Sequence, residues 1–389
     1  MCQSGGPRHP RLPMDRNYLL QLPYHLDLPF SEASFQLTRE HLICPRDRAL
    51  SDTYNRQVWL ASRPTAIPHA EHFGIREVEI PNIAEGEILV RNQYLSVDPA
   101  MRGWIADPRG YLPQVKVGDT MRAFAVGEVL MSRNPDYVVG EMLMGIFGWQ
   151  EYAAVAADAV LLRVKERDLP CSLALGALGL NGITAYFGLL EVGCPESGQT
   201  VAVSTAAGAV GSIVGQIANI KGCKTVGFTG GPAKVRQCLD EFGYEAAIDY
   251  KSTNDIDGAI ASVAPGGVDV YFDNTSGPVS DAVMRHINIG ARVVICGTAA
   301  YPSWNPWNTG PRPERHLIVK RARMQGFLAT DFSDRFNEAA AQLANWIREG
   351  RLRYREDILE GLENAPGALQ RLYSGQNDGK LLIRLAAAG

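Results

Sequence analysis

The sequence predicts an α/β fold in which a small β-rich domain is joined to a doubly wound parallel sheet. Three observations predict it. Short β-forming segments fill the first part of the chain, and from residue 200 onward short apolar runs alternate with amphipathic stretches. A glycine turn connects the first apolar run to the first of these stretches. Apolar strands that alternate with helices are typical of a parallel sheet covered on both faces.

The β-rich domain is predicted from segments that carry β-formers and are separated by Pro and Gly. They are EGEILVRNQYLSVD (85–98), RAFAVGEVLM (122–131) and EMLMGIFGWQEYAAVA (141–156). Strands of this length and spacing are typical of a small barrel or sandwich.

The parallel sheet is predicted to have six strands. They are residues 200–206, 224–230, 246–250, 268–276, 291–297 and 323–329, and helices are predicted over 211–222, 232–243 and 336–350. The strand-like KLLIRL (380–385) is expected to return to the first domain. The predicted domains are a poorly ordered extension (1–53), a substrate domain (54–175), a dinucleotide-binding domain (176–329) and a return segment (330–389) that completes the substrate domain.

Composition narrows the class of protein. The chain has 389 residues, 46% of them hydrophobic, and a net charge of −4, which gives no electrostatic reason to expect nucleic acid or an anionic membrane as partner. Its seven cysteines are scattered without a CxxC pair, so we expect a reducing, cytoplasmic compartment. The uncharged stretch 171–190 is long enough to cross a bilayer, but five interrupting Gly and Asn residues favour a buried segment packed between domains.

The glycine turn is typical of a dinucleotide-binding site. It reads Ala206-x-Gly208-x-x-Gly211, with Ala in place of the first Gly, between a strand and a helix. Gly208 allows the backbone to approach a pyrophosphate, and Gly211 allows the helix to pack tightly on the sheet. A turn that uses glycine only for its own packing is the alternative.

The end of the second strand predicts NADP(H) rather than NAD(H). That strand ends in Thr229-Gly230-Gly231, where an NAD-binding protein usually has an acid that holds the ribose hydroxyl. Without that acid there is room for a 2′-phosphate, and Lys234 supplies a cation. Tyr250, at the end of the third strand, can reach the same phosphate through its hydroxyl. Alternatively, Lys234 is a solvated residue in the first turn of the next helix.

Several segments resemble the medium-chain dehydrogenase/reductase superfamily. The similarity covers nearly all of 54–389 and is greatest to the zinc-free group of leukotriene B4 12-hydroxydehydrogenases/prostaglandin reductases and curcumin-type alkenal reductases. The matching segments are NQYLSVDPAMRG (92–103), GLNGITAYFGLL (179–190), STAAGAVGSIVGQIA (204–218), YFDNTSG (271–277), VICGT (294–298), RMQGFLA (323–329) and GQNDGK (375–380). This resemblance implies a GroES-like β-barrel domain, a Rossmann domain and, as in the family, a homodimer.

The resemblance also implies which residues bind the cofactor. The positions that match the family's cofactor contacts are Gly208, Ala209, Val210, Gly211, Lys234, Tyr250, Asn274, Cys296, Gly297, Thr298, Phe327, Leu328, Ala329 and Asn377. Cys296 is expected to act through its backbone, and a plain core role is the alternative.

Two departures from the family leave the group that polarises the substrate uncertain. Asp98-Pro99-Ala100-Met101-Arg102 stands where many relatives have DPYMR, so an aromatic wall is missing. Many relatives also have a Tyr in the loop after the fifth strand, and here both Tyr301 and Trp304 fall in that loop.

No metal is expected, because the seven histidines show no Cys/His pairing at zinc-ligand spacing. Without zinc, a conjugated enal or enone is easier to reduce than a simple ketone, since hydride adds at the β-carbon and hydrogen-bond donors stabilise the enolate. The candidate donors are Tyr94, Tyr301, Trp304 and the cofactor's ribose hydroxyl. The sequence therefore predicts an NADPH-dependent, zinc-independent reductase of activated C=C bonds. An NADPH quinone reductase and a non-catalytic NADPH sensor are the alternatives.

Overall fold

The computed structural model describes residues 53–106, 110, 112–301 and 307–385. The predicted extension over 1–53 lies outside this range except for Thr53, and so does Trp304. The described residues form two sheets and a two-stranded ribbon.

The first sheet is mainly antiparallel and contains the predicted β-rich segments. In chain order its region has the strands β1 (Tyr54–Leu60), β2 (Phe73–Glu79), β3 (Glu87–Ser96), β4 (Phe124–Ser132), β5 (Met142–Ile146), β6 (Tyr152–Ala156) and β7 (Val160–Arg163). β1 and β2 form the ribbon, and β3, β4, β5 and β7 follow one another across the sheet, with β6 also paired to β3. The segment 141–156 is thus two strands, β5 and β6, because Trp149 lies fully buried in the turn between them and donates its indole N–H to Ser96 O at 3.0 Å.

The second sheet confirms the predicted six parallel strands. They are β8 (Thr200–Ser204), β9 (Lys224–Thr229), β10 (Ala246–Asp249), β11 (Val268–Asp273), β12 (Ile287–Ile295) and β13 (Arg323–Gly326). Their spatial order is β10-β9-β8-β11-β12-β13, and every neighbouring pair is parallel. This is the Rossmann arrangement, in which ligands bind at the carboxyl ends of the strands where the order reverses, here between β8 and β11.

Helices lie beside both sheets. They are α1 (Ala100–Ala106), α2 (Leu180–Phe187), α3 (Gly211–Ile220), α4 (Pro232–Arg236), α5 (Ile256–Val263), α6 (Gly277–Arg285), α7 (Glu314–Lys320), α8 (Phe336–Arg348) and α9 (Ala365–Tyr373). The helices α1 and α9 lie beside the first sheet, and others cover both faces of the parallel sheet. One apolar core joins α3 and α8 to one face, and a second joins α5 and α6 to the other.

Several predicted elements end earlier than the sequence suggested, and two of these differences concern candidate site residues or their neighbours. The helix predicted over 232–243 is α-helical only to Arg236, and Gln237–Glu241 continue as a wider π-type turn that buries Cys238. The strand predicted over 323–329 stops at Gly326, so Phe327, Leu328 and Ala329 follow the carboxyl end of β13.

The apolar segment 171–190 is buried, as predicted. It forms a short 3₁₀ helix (Cys171–Leu175) and then α2, and its side chains belong to two of the apolar cores. Among the described residues, no helix has the length and apolarity that a bilayer span requires.

The last part of the chain contacts both sheets. α8 packs against the core of the parallel sheet through Leu343 and Ala344. After it, β14 (Glu356–Glu360) and β15 (Lys380–Arg384) extend the first sheet, in which β15 pairs antiparallel with β3. The return of 380–385 to the first sheet is therefore observed, and the exact domain boundaries remain predictions.

Candidate cofactor and catalytic site

The glycine turn after β8 is packed so closely that it excludes side chains. Thr205 adopts a left-handed φ of 53°, and its carbonyl accepts a hydrogen bond from Gly208 N at 2.8 Å. A Cβ on Gly211 would lie 2.2 Å from Thr205 O, and one on Gly208 would lie 2.7 Å from Thr205 Cγ2. Gly208, Ala209 and Val210 therefore lie immediately before α3, and the N-terminus of a helix favours an anion.

Tyr244 holds this helix against the sheet, a role that the sequence analysis missed. Its hydroxyl donates to Gly211 O at 2.6 Å, and burial raises its pKa well above the ordinary value. A Cβ on Gly215 would lie 2.2 Å from the Tyr244 ring, so α3 approaches this ring only because residue 215 is Gly. The position of the glycine turn therefore depends on a residue more than thirty positions downstream.

The turn that ends β9 has the features predicted for a phosphorylated ribose. Gly231 has a φ of +92°, a conformation that favours Gly, and α4 begins immediately after it. Lys234 lies in the first turn of α4, and burial lowers its pKa. The hydroxyl of Tyr250 lies 3.3 Å from the position that a Cβ on Gly230 would take. The structure thus places the Tyr250 hydroxyl beside Gly230, and Lys234 three residues after Gly231 in α4.

Lys234 also contacts the loop that contains Asn377. Its ammonium donates to Gly375 O at 3.0 Å, and Gln237 donates to Asp378 in the same loop. Asn377 itself donates to Gly379 O at 2.7 Å. The predicted cofactor residues 234 and 377, far apart in the sequence, are therefore joined through one loop.

A buried carboxylate organises the crevice between β8 and β11. Asp273 is 2% exposed, and its two oxygens accept hydrogen bonds from four hydroxyls and from two backbone N–H groups. The donors are the hydroxyls of Ser204, Tyr271, Thr275 and Ser280 and the backbone amides of Thr275 and Ser276. Such a shell satisfies a buried acid, because each buried lone pair without a donor is costly. No local sequence pattern indicates this arrangement, since the donors come from β8, β11, the loop after β11 and α6.

Asn274 lies at the switch point of the sheet. Its side-chain Nδ2 donates to Ser204 O at 2.7 Å, and its backbone N–H donates to Ser204 Oγ at 2.7 Å. A Cβ on Gly297 would lie 2.8 Å from Asn274 O, so the chain after β12 runs directly against it. Asn274 and Gly297 are thus brought together, as the resemblance implied.

Cys296 is attached to the same crevice through its backbone. Its amide donates to Asp273 O at 2.8 Å, and burial raises the pKa of its thiol to about 12. A protonated thiol is a weak nucleophile. The backbone role expected for Cys296 therefore agrees with its surroundings, and Thr298 follows it as the acceptor of the Tyr301 amide at 3.0 Å.

Phe327 follows β13 and packs beneath the crevice. A Cβ on Gly188 would lie 2.4 Å from its ring, and the ring meets Phe272 edge-on with centroids 6.4 Å apart. Leu328, next in the chain, is 42% exposed, and Ala329 begins a 3₁₀ turn. These three positions line the carboxyl end of the sheet beside β12.

The two described candidates for the carbonyl donor lie in different surroundings. The Tyr301 hydroxyl lies 3.7 Å from the position of a Cβ on Gly277, at the start of α6 and beyond the end of β11. Tyr94 lies on β3 opposite Arg384, and the pKa of that guanidinium is raised first by Glu360 and also by Tyr94. Among the described residues, no hydrogen bond or ring contact joins Tyr94 to Tyr301, and Trp304 lies outside those residues.

A buried ion pair connects the segment with Ala100 to the return strand. Lys380 Nζ lies 2.6 Å from Asp98 Oδ1 and donates to Val97 O at 3.1 Å, and both side chains are nearly inaccessible to solvent. Ser96 donates to the second oxygen of Asp98. Removing one member of a buried pair is costly, because the other charge is left without a partner.

Comparison with known proteins identifies the family. Residues 56–162 match the family described as the N-terminal domain of oxidoreductase, and residues 209–345 match the one described as zinc-binding dehydrogenase. The putative NADP-dependent oxidoreductase YfmJ of Bacillus subtilis (strain 168) is 44% identical over 335 residues, which are 85% of this chain and 98% of the relative. This chain belongs to the medium-chain dehydrogenase/reductase superfamily.

Within the superfamily, the chain belongs to the zinc-free group that contains the curcumin reductases. The NADPH-dependent curcumin reductase of Escherichia coli (strain K12) is 39% identical and matches 85% of this chain and 97% of its own length. The crystal structure of CurA from Vibrio vulnificus in complex with NADPH superposes with a TM-score of 0.79 at 39% identity, covering 85% of this chain and 99% of that one. The resemblance inferred from the motifs is confirmed.

In residues 53–106, 110, 112–301 and 307–385, no cluster of three or more His, Cys, Asp or Glu side chains could hold a metal ion. The five cysteines in this part of the chain are all free.

Proposed function

We propose that this chain is an NADPH-dependent reductase that transfers hydride to the β-carbon of α,β-unsaturated aldehydes and ketones. One observation carries the proposal: Gly230 and Gly231 end β9 where an NAD-binding protein usually has an acid, the Tyr250 hydroxyl lies beside Gly230, and Lys234 lies in the first turn of α4. Group membership supports the substrate class, since its members include a curcumin reductase and a 2-alkenal reductase (NADP(+)-dependent) of Nicotiana tabacum, the latter 36% identical over 337 residues.

The residues present fit a dinucleotide with a phosphorylated ribose. A Cβ at Gly208 would meet Thr205 Cγ2 and one at Gly211 would meet Thr205 O, so this turn requires glycine at both positions. Ala209 and Val210 would hold the pyrophosphate by their amides, as helix N-termini hold anions. Lys234 and Tyr250 would hold the 2′-phosphate.

The remaining contacts are proposed for the nicotinamide half. Asn274, Cys296, Gly297 and Thr298 border the crevice at the ends of β11 and β12, and Phe327, Leu328 and Ala329 follow β13. Asn377 would close over the cofactor from the loop that Lys234 contacts through Gly375.

When bound, NADPH supplies the hydride. The task of the chain is to polarise the substrate carbonyl, so that the negative charge that develops on the α-carbon when hydride adds to the β-carbon is shared with an enolate oxygen that accepts a hydrogen bond. Of the candidates, Tyr301 is the one that the carboxyl edge of the parallel sheet favours, because its hydroxyl lies near Gly277, whereas Tyr94 interacts with Arg384. Trp304 stays a candidate, and water supplies the proton to the α-carbon.

A direct test mixes the protein with NADPH and a panel of enals, enones and quinones while NADPH oxidation is followed by stopped flow. We expect rapid oxidation with enals and enones and formation of the saturated carbonyl. Oxidation with quinones alone would assign the protein as a quinone reductase. Tight NADPH binding without turnover on any member of the panel would assign it as a sensor.

We further propose a homodimer and a cytoplasmic location. The family resemblance supports the dimer, and the scattered free cysteines support a reducing compartment. Sedimentation of the purified protein tests the first, and fractionation of the source cells tests the second.

A further inference from the structure

A second lysine reaches over the turn that ends β9. A Cβ on Gly230 would lie 2.8 Å from Cε of Lys251 and 3.3 Å from the hydroxyl of Tyr250. The side chains of these two consecutive residues therefore cover the same glycine, on the side from which the adenosine ribose is expected. Gly230 permits this approach because it has no side chain.

Asp249 fixes Lys251 relative to this turn. One carboxylate oxygen of Asp249 accepts from Gly231 N at 2.9 Å and from Lys251 N at 3.0 Å. These backbone donors, Gly231 first, lower the pKa of Asp249, because they stabilise its charged form. Asp249 thus links the turn after β9 to the chain after β10 through hydrogen bonds from backbone amides.

The ammonium groups of Lys251 and Lys234 lie close enough to repel each other. The pKa of Lys234 is lowered first by burial and then by the charge of Lys251, while Asp378 opposes both effects. Within the described part of the chain, the Lys251 ammonium forms no hydrogen bond or ion pair. Two like charges held beside a phenol hydroxyl are unfavourable alone and favourable once an anion lies between them.

We infer that Lys251 is a second cation of the 2′-phosphate site, which together with Lys234 and the Tyr250 hydroxyl surrounds a dianionic phosphate monoester. This inference rests on the proposed NADPH function and adds a residue to it. Sequence patterns did not reveal Lys251, because a lysine just after a strand is indistinguishable from a solvated one until its distance to Gly230 is known.

The test measures binding by calorimetry, without turnover. Lys251→Ala is expected to weaken NADPH about tenfold and 2′,5′-ADP by a similar factor, while NADH and 5′-AMP change less than about twofold, because the lost contact is a charge-assisted bond to phosphate. Lys224→Ala is the matched control: Lys224 is an exposed lysine at the opposite end of β9. It should change none of the four affinities.

Further variants separate charge from shape. Lys251→Arg should restore most NADPH affinity, Lys251→Gln should behave like Lys251→Ala, and Lys251→Glu should weaken NADPH more than either. Because the Lys251 side chain is exposed, circular dichroism is expected to show all four variants folded.

Two results would overturn the inference. One is an unchanged NADPH affinity in Lys251→Ala and Lys251→Glu, and the other is an equal loss for NADPH and NADH. Both leave the proposed function intact if wild-type protein still prefers NADPH and reduces enals. Loss of that preference in wild-type protein would instead contradict the proposed function itself.

Discussion

The adenosine end and the nicotinamide end of the candidate site are built from different parts of the chain. The first uses the glycine turn, the β9 turn, Lys234 and Tyr250, all within residues 205–250. The second collects Asn274, Cys296 and Phe327 from the ends of three strands, and its catalytic candidates include Tyr94 on another sheet. One end is local in sequence, and the other depends on the whole fold.

This difference explains why the sequence predicts the cofactor more readily than the catalytic residues. Backbone geometry restricts the residue types at a local turn, since a Cβ on Gly211 would lie 2.2 Å from Thr205 O. A donor to a substrate oxygen can come from any element that reaches the crevice, so residue type alone leaves several candidates. Three variants and one pH dependence break or sharpen this comparison.

The largest effect is expected at the nicotinamide end. Tyr301→Phe should lower kcat for an enal about hundredfold, because one hydrogen bond to a developing oxyanion is worth ~3 kcal/mol. Tyr94→Phe is the matched control and should change kcat less than about twofold, since its hydroxyl interacts with Arg384. Steady-state kinetics measures both. The reverse ranking would make Tyr94 the donor, and small losses in both would favour Trp304.

The next effect concerns the glycine turn. Gly211→Ala should lower the free energy of unfolding by ~2–3 kcal/mol, because the new methyl meets backbone that cannot move aside. NADPH and NADH binding should weaken together, since both share the pyrophosphate. Gly367→Ala in α9 is the control, as no atom lies within 4 Å of its Cβ position. Urea unfolding and calorimetry report the two quantities, and an unchanged affinity for both cofactors would exclude this turn as the pyrophosphate site.

At the adenosine end, Lys234→Ala should weaken NADPH about thirtyfold (~2 kcal/mol) and NADH by less than about twofold. Lys234 contacts the loop with Asn377 and is proposed to bind the phosphate, and Gln237→Ala separates these two roles. Gln237 also contacts that loop, through Asp378, but carries no charge. Calorimetry should show only a small, equal effect of Gln237→Ala on the two cofactors. An equal loss in Lys234→Ala would mean that Lys234 acts on the loop and not on the phosphate.

The smallest effect is a dependence on pH. The ammonium of Lys234 is its protonated form, so the preference for NADPH over NADH should decline as pH rises through its pKa. Burial and then the charge of Lys251 lower that pKa, with Asp378 opposing, so the decline should begin below the ordinary lysine value of ~10.4. Calorimetry between neutral and alkaline pH measures it. The same decline in Lys234→Ala would assign it to another group.

Much of the fold could be predicted from sequence, because most strands of the parallel sheet are largely apolar runs; β13 is the exception, with four exposed residues. Boundaries were less certain: Gln237–Glu241 continue in helical sequence but widen into a π-type turn around buried Cys238. The roles of Asp273 and Tyr244 were missed altogether. Both side chains bind partners that are distant in sequence, such as Ser204 and Gly211, and no local sequence pattern indicates such pairs.

The pairing of β15 with β3 governs the order in which the molecule can be completed during synthesis. Lys380 contacts Asp98, which lies 282 positions earlier in the sequence, and β15 covers the edge of β3 at Tyr94–Ser96. A ribosome must therefore release almost the whole polypeptide before that edge is closed, and contacts of such long range slow folding. Nascent chains stopped before Lys380 leave a bare strand edge, which chaperones or other chains can occupy.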